Sequence, residues 1–199
     1  MFFPLLYFVL RIGLWFWHPI LKVSGIENYR EDEHYVICAN HVGAADPFWI
    51  VFALKAWTLK KLPRIMAKIE VMRIPVIGKI LEMVGVFGID RGETDVTSLK
   101  TALKTLKDKK SLLIFPQGTR CPKGERLSGK TGVAMLATRT QTKVLPIYIS
   151  EKRHPFSVMH CIIGEPYSLE YEGKRATSSE LRTLTDDMMN RIYALGDQE

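Results

Sequence analysis

The sequence predicts an α/β protein: a mixed, largely parallel sheet flanked by helices, preceded by an N-terminal helical segment at a membrane interface. Three observations carry this reading. Short apolar runs fit for buried strands, among them "HYVICA", "SLLIFP" and "VLPIYI", alternate with stretches of helical spacing, and such alternation favours parallel pairing. Residues 1–23 are aromatic or aliphatic almost throughout. At 199 residues, with 47% hydrophobic and 25% charged, the chain can bury one good core but not two.

Taken in order, the chain begins "MFFPLLYFVLRIGLWFWHPILKV", broken by Arg11 and His18. A spanning helix needs about 20 apolar residues, and an arginine at its midplane costs ~2.5–3.5 kcal/mol. No small-residue cleavage site follows, which argues against a removable signal peptide. The expectation is a helix or helix pair lying in the bilayer interface with its aromatics at headgroup depth. A core helix of a soluble domain and a single span are the competing readings. The chain therefore divides into an anchor, 1–24, and one domain, 25–199.

Beyond the anchor, "HYVICA" (34–39) reads as a buried strand and "NHVGAADP" as a loop of small residues. Asp46 followed by Pro47 reads as a helix start, with Asp as cap, continuing through "FWIVFALKAW". Residues 64–68 read as a strand, 75–84 as a helix and 85–91 as a strand. "TDVTSLKTALKTLKDKK" sets Leu99, Leu103 and Leu106 at helical spacing among lysines, an amphipathic surface helix. "SLLIFP" and "VLPIYI" (144–149) are strands with the helix "GVAMLATRT" between them, and "SVMHCIIGEPY" holds the last strand. Thr177 and Glu180 form a capping-box pattern before the stripe Leu181, Leu184, Met188 and Leu195. In such a fold chemistry gathers in loops at strand ends.

Net charge is +7, and from Lys55 to Lys79 there are seven Lys or Arg against one acid, Glu70. That run suits nucleic acid, an acidic membrane surface or a phosphorylated substrate; a solvated basic face is the bland alternative. Nucleic acid is disfavoured because the aromatics gather in the N-terminal segment instead of interleaving with the basic run. Cys38, Cys121 and Cys161 have no C-x-x-C spacing and an odd count, so they read as free thiols with no case for zinc or a disulfide framework.

Gly124 to Thr131 matches the phosphate-cradling pattern G-x-x-x-x-G-K-[ST]. A P-loop, however, needs a strand running directly into its first glycine and a magnesium-binding Asp after a later strand. Here "QGTRCPK" intervenes and "VLPIYISEKR" offers no Asp, so a nucleotide site is rejected, although Lys130 could still meet a phosphate.

The stretch "NHVGAAD" fits better. His41 and Asp46 lie five positions apart, and Gly43, Ala44 and Ala45 let the chain fold the imidazole back onto the carboxylate. Asp46 would fix the tautomer and leave the other ring nitrogen as a general base. A lone pair of this kind is more often structural, so the rest of the pattern has to decide.

With "NHVGAAD", "GVFGIDRG", "FPQGTR" and "VLPIYI" in this order, the chain resembles the glycerolipid acyltransferases of the bacterial 1-acyl-glycerol-3-phosphate type over about residues 34 to 150. The first block matches the family's N-H-x₄-D pattern, and the third is usually F-P-E-G-T-R. The resemblance implies that His41 is the base and Asp46 its orienter. Arg91, Gly118, Thr119 and Arg120 would hold the acceptor's phosphate, and Lys130 could add charge. Arginine forks suit phosphate oxygens, and a glycine turn bares backbone N–H groups. Pro146 would shape the sheet edge or the acyl channel.

The implied acceptor is lysophosphatidate and the donor acyl-CoA or an acyl-carrier protein. No cofactor or metal is called for, and the place is a cell membrane, peripheral or monotopic on its cytoplasmic face. No G-x-S-x-G elbow is present, so no acyl-serine is indicated. Gln117 departs from the family's Glu, keeping the size but losing the charge. This puts the acceptor in question: glycerol-3-phosphate, a lysophospholipid or an amino-acid lipid are alternatives, as is a catalytically weak lipid-binding relative. If the role of this position is to brace the phosphate-binding turn, a glutamate restored there is expected to pair with Arg120 or Arg91 and to retain or raise activity. If Gln117 instead donates to a different acceptor, the same change is expected to cut activity on that acceptor.

Overall fold

The apolar runs become the centre of a sheet. A computed structural model describes residues 12, 20–56, 62–90, 96–122, 124–151 and 157–197. Among these, seven strands form one sheet: β1 (Leu21–Ser24), β2 (Val36–Ala39), β3 (Arg64–Lys68), β4 (Val86–Ile89), β5 (Leu112–Ile114), β6 (Val144–Ile149) and β7 (Met159–Ile163). The described helices are α1 (Asp46–Ala53), α2 (Ile69–Met72), α3 (Ile77–Met83), α4 (Val96–Lys107), α5 (Gly132–Thr140) and α6 (Ser178–Gly196), with a 3-10 turn at Ile26–Asn28. The strand order is β1-β7-β6-β2-β5-β3-β4. All neighbours are parallel except β6 and β7.

Strands β2, β5 and β6 are buried at every position, as a parallel sheet with helices on both faces requires. One face sets Ile37, Ala39, Leu145 and Ile147 against Trp49 and Ile50 of α1, with Met72 and Leu81 packed alongside. The other sets Val36, Cys38 and Ile114 against Ala102 and Leu106 of α4, Ala134 and Ala137 of α5, and Met188 and Ile192 of α6. The three thiols are free and buried; desolvation pushes Cys161 up to about 12 and Cys38 higher still, so both are inert core groups.

The expected largely parallel α/β architecture is what the structure shows, with differences of detail. Leu21–Ser24, within the stretch read as anchor, pairs with β7 as an edge strand. There Gly25 takes φ +73, and a Cβ on it would lie 2.0 Å from the Ile163 carbonyl oxygen. The Asn28 amide also donates to that oxygen at 2.9 Å. Pro146, expected near the sheet edge, lies in β6, an interior strand. The helix expected at 75–84 is α3, and the short α2 precedes it. The rest of the N-terminal segment, apart from Ile12 and Ile20, lies outside the described residues. No described helix is long and apolar enough to cross a membrane.

The capping box at α6 is formed. The Thr177 hydroxyl accepts from the Glu180 N–H at 3.3 Å, and the Glu180 carboxylate accepts from the Thr177 N–H at 2.7 Å. Bonds from the Thr177 hydroxyl, its N–H and the Glu172 N–H hold the Glu180 carboxyl down at about 2. Its folded value is below its ordinary 4.5, so its contribution is full above pH 4.5 and disappears as pH falls toward 2. Thr177→Ala is expected to cost about 1 kcal/mol in denaturant unfolding, less so at the acid end of that window.

Candidate active site

Parallel strands β2 and β5 lie side by side, and their connections leave for opposite faces: α1 follows β2 on one side, α5 follows β5 on the other. Crevices beyond the carboxyl ends of strands at such a switch point are where α/β proteins bind ligands. His41 follows β2 there, and Phe115 to Gly118 follows β5. The Asn40 side chain locks this end to β6, accepting from the Ile149 N–H at 2.8 Å and donating to the Ile149 carbonyl at 2.9 Å.

Asp46 is fully buried as the first residue of α1, so it is not the helix cap; Ala45 holds that position without a side-chain bond. The carboxylate turns back instead. Its Oδ2 lies 2.9 Å from His41 Nδ1 and accepts from the Val42 and Gly43 N–H groups, each at 2.7 Å. These donors offset the cost of burying a charge, and the two backbone bonds shape the loop around the carboxylate. With Nδ1–H given to Asp46, Nε2 carries the lone pair.

The imidazole is braced on its face as well as its edge. Phe115 stacks on it with ring centroids 4.0 Å apart and planes at 20°. The Cys121 N–H donates to the His41 carbonyl at 2.6 Å. These contacts tie the loop after β2 to the loop after β5. The sequence marked both loops, but it gave no sign that Phe115 and Cys121 would be the ties between them, or that Asn40 would bind β6.

Gly118 ends a turn closed by its own N–H to the Phe115 carbonyl at 3.0 Å, so this N–H is not available to a phosphate. At φ +70 the glycine has a second role: a Cβ there would lie 2.9 Å from Lys130 Cε and 3.3 Å from Nζ. The Lys130 side chain therefore lies across the turn, while its N–H donates to the Pro116 carbonyl at 2.8 Å. Thr119, Arg120 and Lys130 are exposed around this turn. Lys130 thus joins the cluster without a P-loop: β5 stops at Ile114 and Gly124 stands apart from it. Arg91 lies outside the described residues.

Gln117 points elsewhere. It is buried, and its Nε2 donates to the Tyr193 hydroxyl of α6 at 3.0 Å, while that hydroxyl donates to the Leu127 carbonyl at 3.3 Å. Oε1 is buried with no hydrogen-bond partner among the described residues. The pairing with Arg120 expected of a glutamate is therefore corrected: the described partner at this position is a phenol beneath the turn. Gln117→Glu would bury a carboxylate with one donor at hand, and is expected to lower stability by about 1–3 kcal/mol in urea unfolding. An unchanged midpoint would mean that the side chain reaches a better partner.

A cleft of about 290 Å³ lined by Glu31, Asp32, Arg64, Glu82 and Lys109 opens at the other end of the strands, remote from His41. The convergence of His41, Asp46 and the Gly118 turn outweighs cleft size in locating chemistry.

Residues 20–150 match the family model described as acyltransferase. The 1-acyl-sn-glycerol-3-phosphate acyltransferase of Borreliella burgdorferi is 29% identical over 140 residues, 69% of this chain and 54% of that protein. The Bacillus subtilis protein of the same name is 29% identical over 180 residues, covering 88% of this chain and 87% of its own length. This chain thus spans about half of the first relative and most of the second. The crystal structure of the 1-acyl-sn-glycerophosphate acyltransferase PlsC from Thermotoga maritima superposes with a TM-score of 0.70 at 22% identity, covering 93% of this chain and 74% of that one. It shares the fold.

Proposed function

This chain belongs to the acyltransferase family, and from that premise we propose that it transfers a fatty acyl group from a thioester to the hydroxyl of lysophosphatidate, making phosphatidate. The observation that carries the reading is the His41–Asp46 pair, 2.9 Å apart at the carboxyl end of β2. His41 Nε2 takes the proton of the acceptor hydroxyl as its oxygen attacks the thioester carbonyl. The tetrahedral oxyanion collapses, the C–S bond breaks, and the imidazolium returns its proton to the departing thiolate. Asp46 holds the ring and stabilises its charged form. Arg91, Thr119, Arg120 and Lys130 supply cations and donors for the acceptor's phosphate.

The donor is acyl-CoA or an acyl-carrier protein, and the residues ahead of β1 hold the site at the cytoplasmic face of a membrane, where acceptor and product reside. The test is purified full-length protein assayed with both donors against lysophosphatidate, glycerol-3-phosphate and lysophospholipids. Turnover of lysophosphatidate above the others is expected. Preference for another acceptor would replace lysophosphatidate as the substrate, and no transfer to any acceptor would sink the enzyme reading.

A further inference from the structure

The hairpin of α2 and α3 presents a feature that the acyl-transfer site does not use. Val71, Ile74, Val76 and Ile77 are all exposed, Val76 the most at 68%. Val76 has φ 67 and ψ −54, and the Ile77 N–H bonds to the Pro75 carbonyl at 2.7 Å. That is the rare γ-turn of positive φ, strained for any residue and more so for a β-branched one. The strain holds an aliphatic side chain out into solvent, where hydrophobicity alone would not put it.

The hairpin is also rigid. A Cβ on Gly78 would lie 1.9 Å from the Met72 carbonyl oxygen, so the two short helices touch backbone to backbone. On the inner side Met72 and Leu81 pack on the core. A stiff tip with four outward aliphatics, fixed to the domain from behind, is shaped to enter something apolar.

Charge identifies what that is. Lys68, Arg73 and Lys79 are exposed around the tip, and of these Lys68 is paired with Glu70 at 2.9 Å. Cations flanking an apolar tip match the headgroup layer and acyl boundary of an anionic bilayer. The position agrees. α2 begins directly after β3, so the hairpin leaves the carboxyl end of the parallel strands, the same end as His41.

We propose that the α2–α3 hairpin is a second membrane contact, inserting Val76 and its aliphatic neighbours into an anionic leaflet and facing the site toward the lipid. This rests on the reading that the acceptor is a membrane lipid, but its test does not need turnover. The full-length chain carrying Val76→Cys, with a nitroxide on that thiol, is bound to phosphatidylcholine–phosphatidylglycerol vesicles; the native thiols are buried. Collision with oxygen should rise and collision with a water-soluble nickel chelate should fall. A label on Lys107→Cys, at the far end of α4, should remain in water.

Val76→Asp with Ile77→Asp should weaken vesicle binding by on the order of tenfold while leaving transfer to a dispersed short-chain acceptor unchanged. A label at 76 that stays in water on bound protein, or unaltered vesicle affinity of the double variant, overturns the proposal. A label shielded only by an acidic carrier protein overturns it in favour of a protein dock. If the label inserts but no acceptor is acylated, the contact stands and the acyl-transfer reading falls.

Discussion

His41→Ala is expected to reduce acyl transfer by about 10²–10⁴ or more, since that is what a positioned general base contributes. The fold should survive. His41 is a partly exposed loop residue, and the bond from the Cys121 N–H goes to its carbonyl, which alanine keeps. Losing the ring stacked on Phe115 costs about 0.5–1.5 kcal/mol beyond the lost area, well short of unfolding a domain. The measurement is kcat/KM beside an unfolding curve, on the same preparation. Near-normal turnover in the folded variant would remove His41 from the mechanism.

Asp46→Asn is expected to lower kcat by about 10³–10⁴ with a smaller change in KM, because the loss falls on the charged imidazolium of the transition state. The geometry makes the effect specific. One oxygen of Asp46 accepts from His41 Nδ1, the Val42 N–H and the Gly43 N–H together. An asparagine oxygen placed there keeps the loop but loses the charge, while an amide turned the other way sets donors against donors. Some loss of stability, ~1–3 kcal/mol, accompanies either outcome. A variant whose kcat holds and whose KM alone rises would make Asp46 a loop brace and nothing more.

Much of this could be read from sequence because the informative interactions are local or repetitive. The runs that became β2, β5 and β6 are apolar at every position, which only a doubly covered strand requires. His41 and Asp46 are five residues apart, so a short loop brings them together without help from the rest of the fold. The Asp–Pro helix signal placed α1 correctly but misassigned the carboxylate, since capping and orienting a histidine use the same residue type at nearly the same place. Gln117 was opaque for a different reason. Its partner Tyr193 is 76 residues away on another element, and no spacing rule reaches that far. Nor does β1 announce itself: "LKVS" is half exposed and gains its identity from β7.

The edge made by β1 and β7 has a consequence in time. Asn28 cannot reach the Ile163 carbonyl until 135 more residues have left the ribosome. At roughly 5–20 residues per second that is an interval of about 7–27 s. The central ladder waits too, because β2 is flanked by β5 and β6, both made later. During this interval the apolar residues ahead of Leu21 are already synthesised while the sheet that follows them does not exist. The order of synthesis therefore delivers this apolar stretch before the sheet and closes the domain behind it.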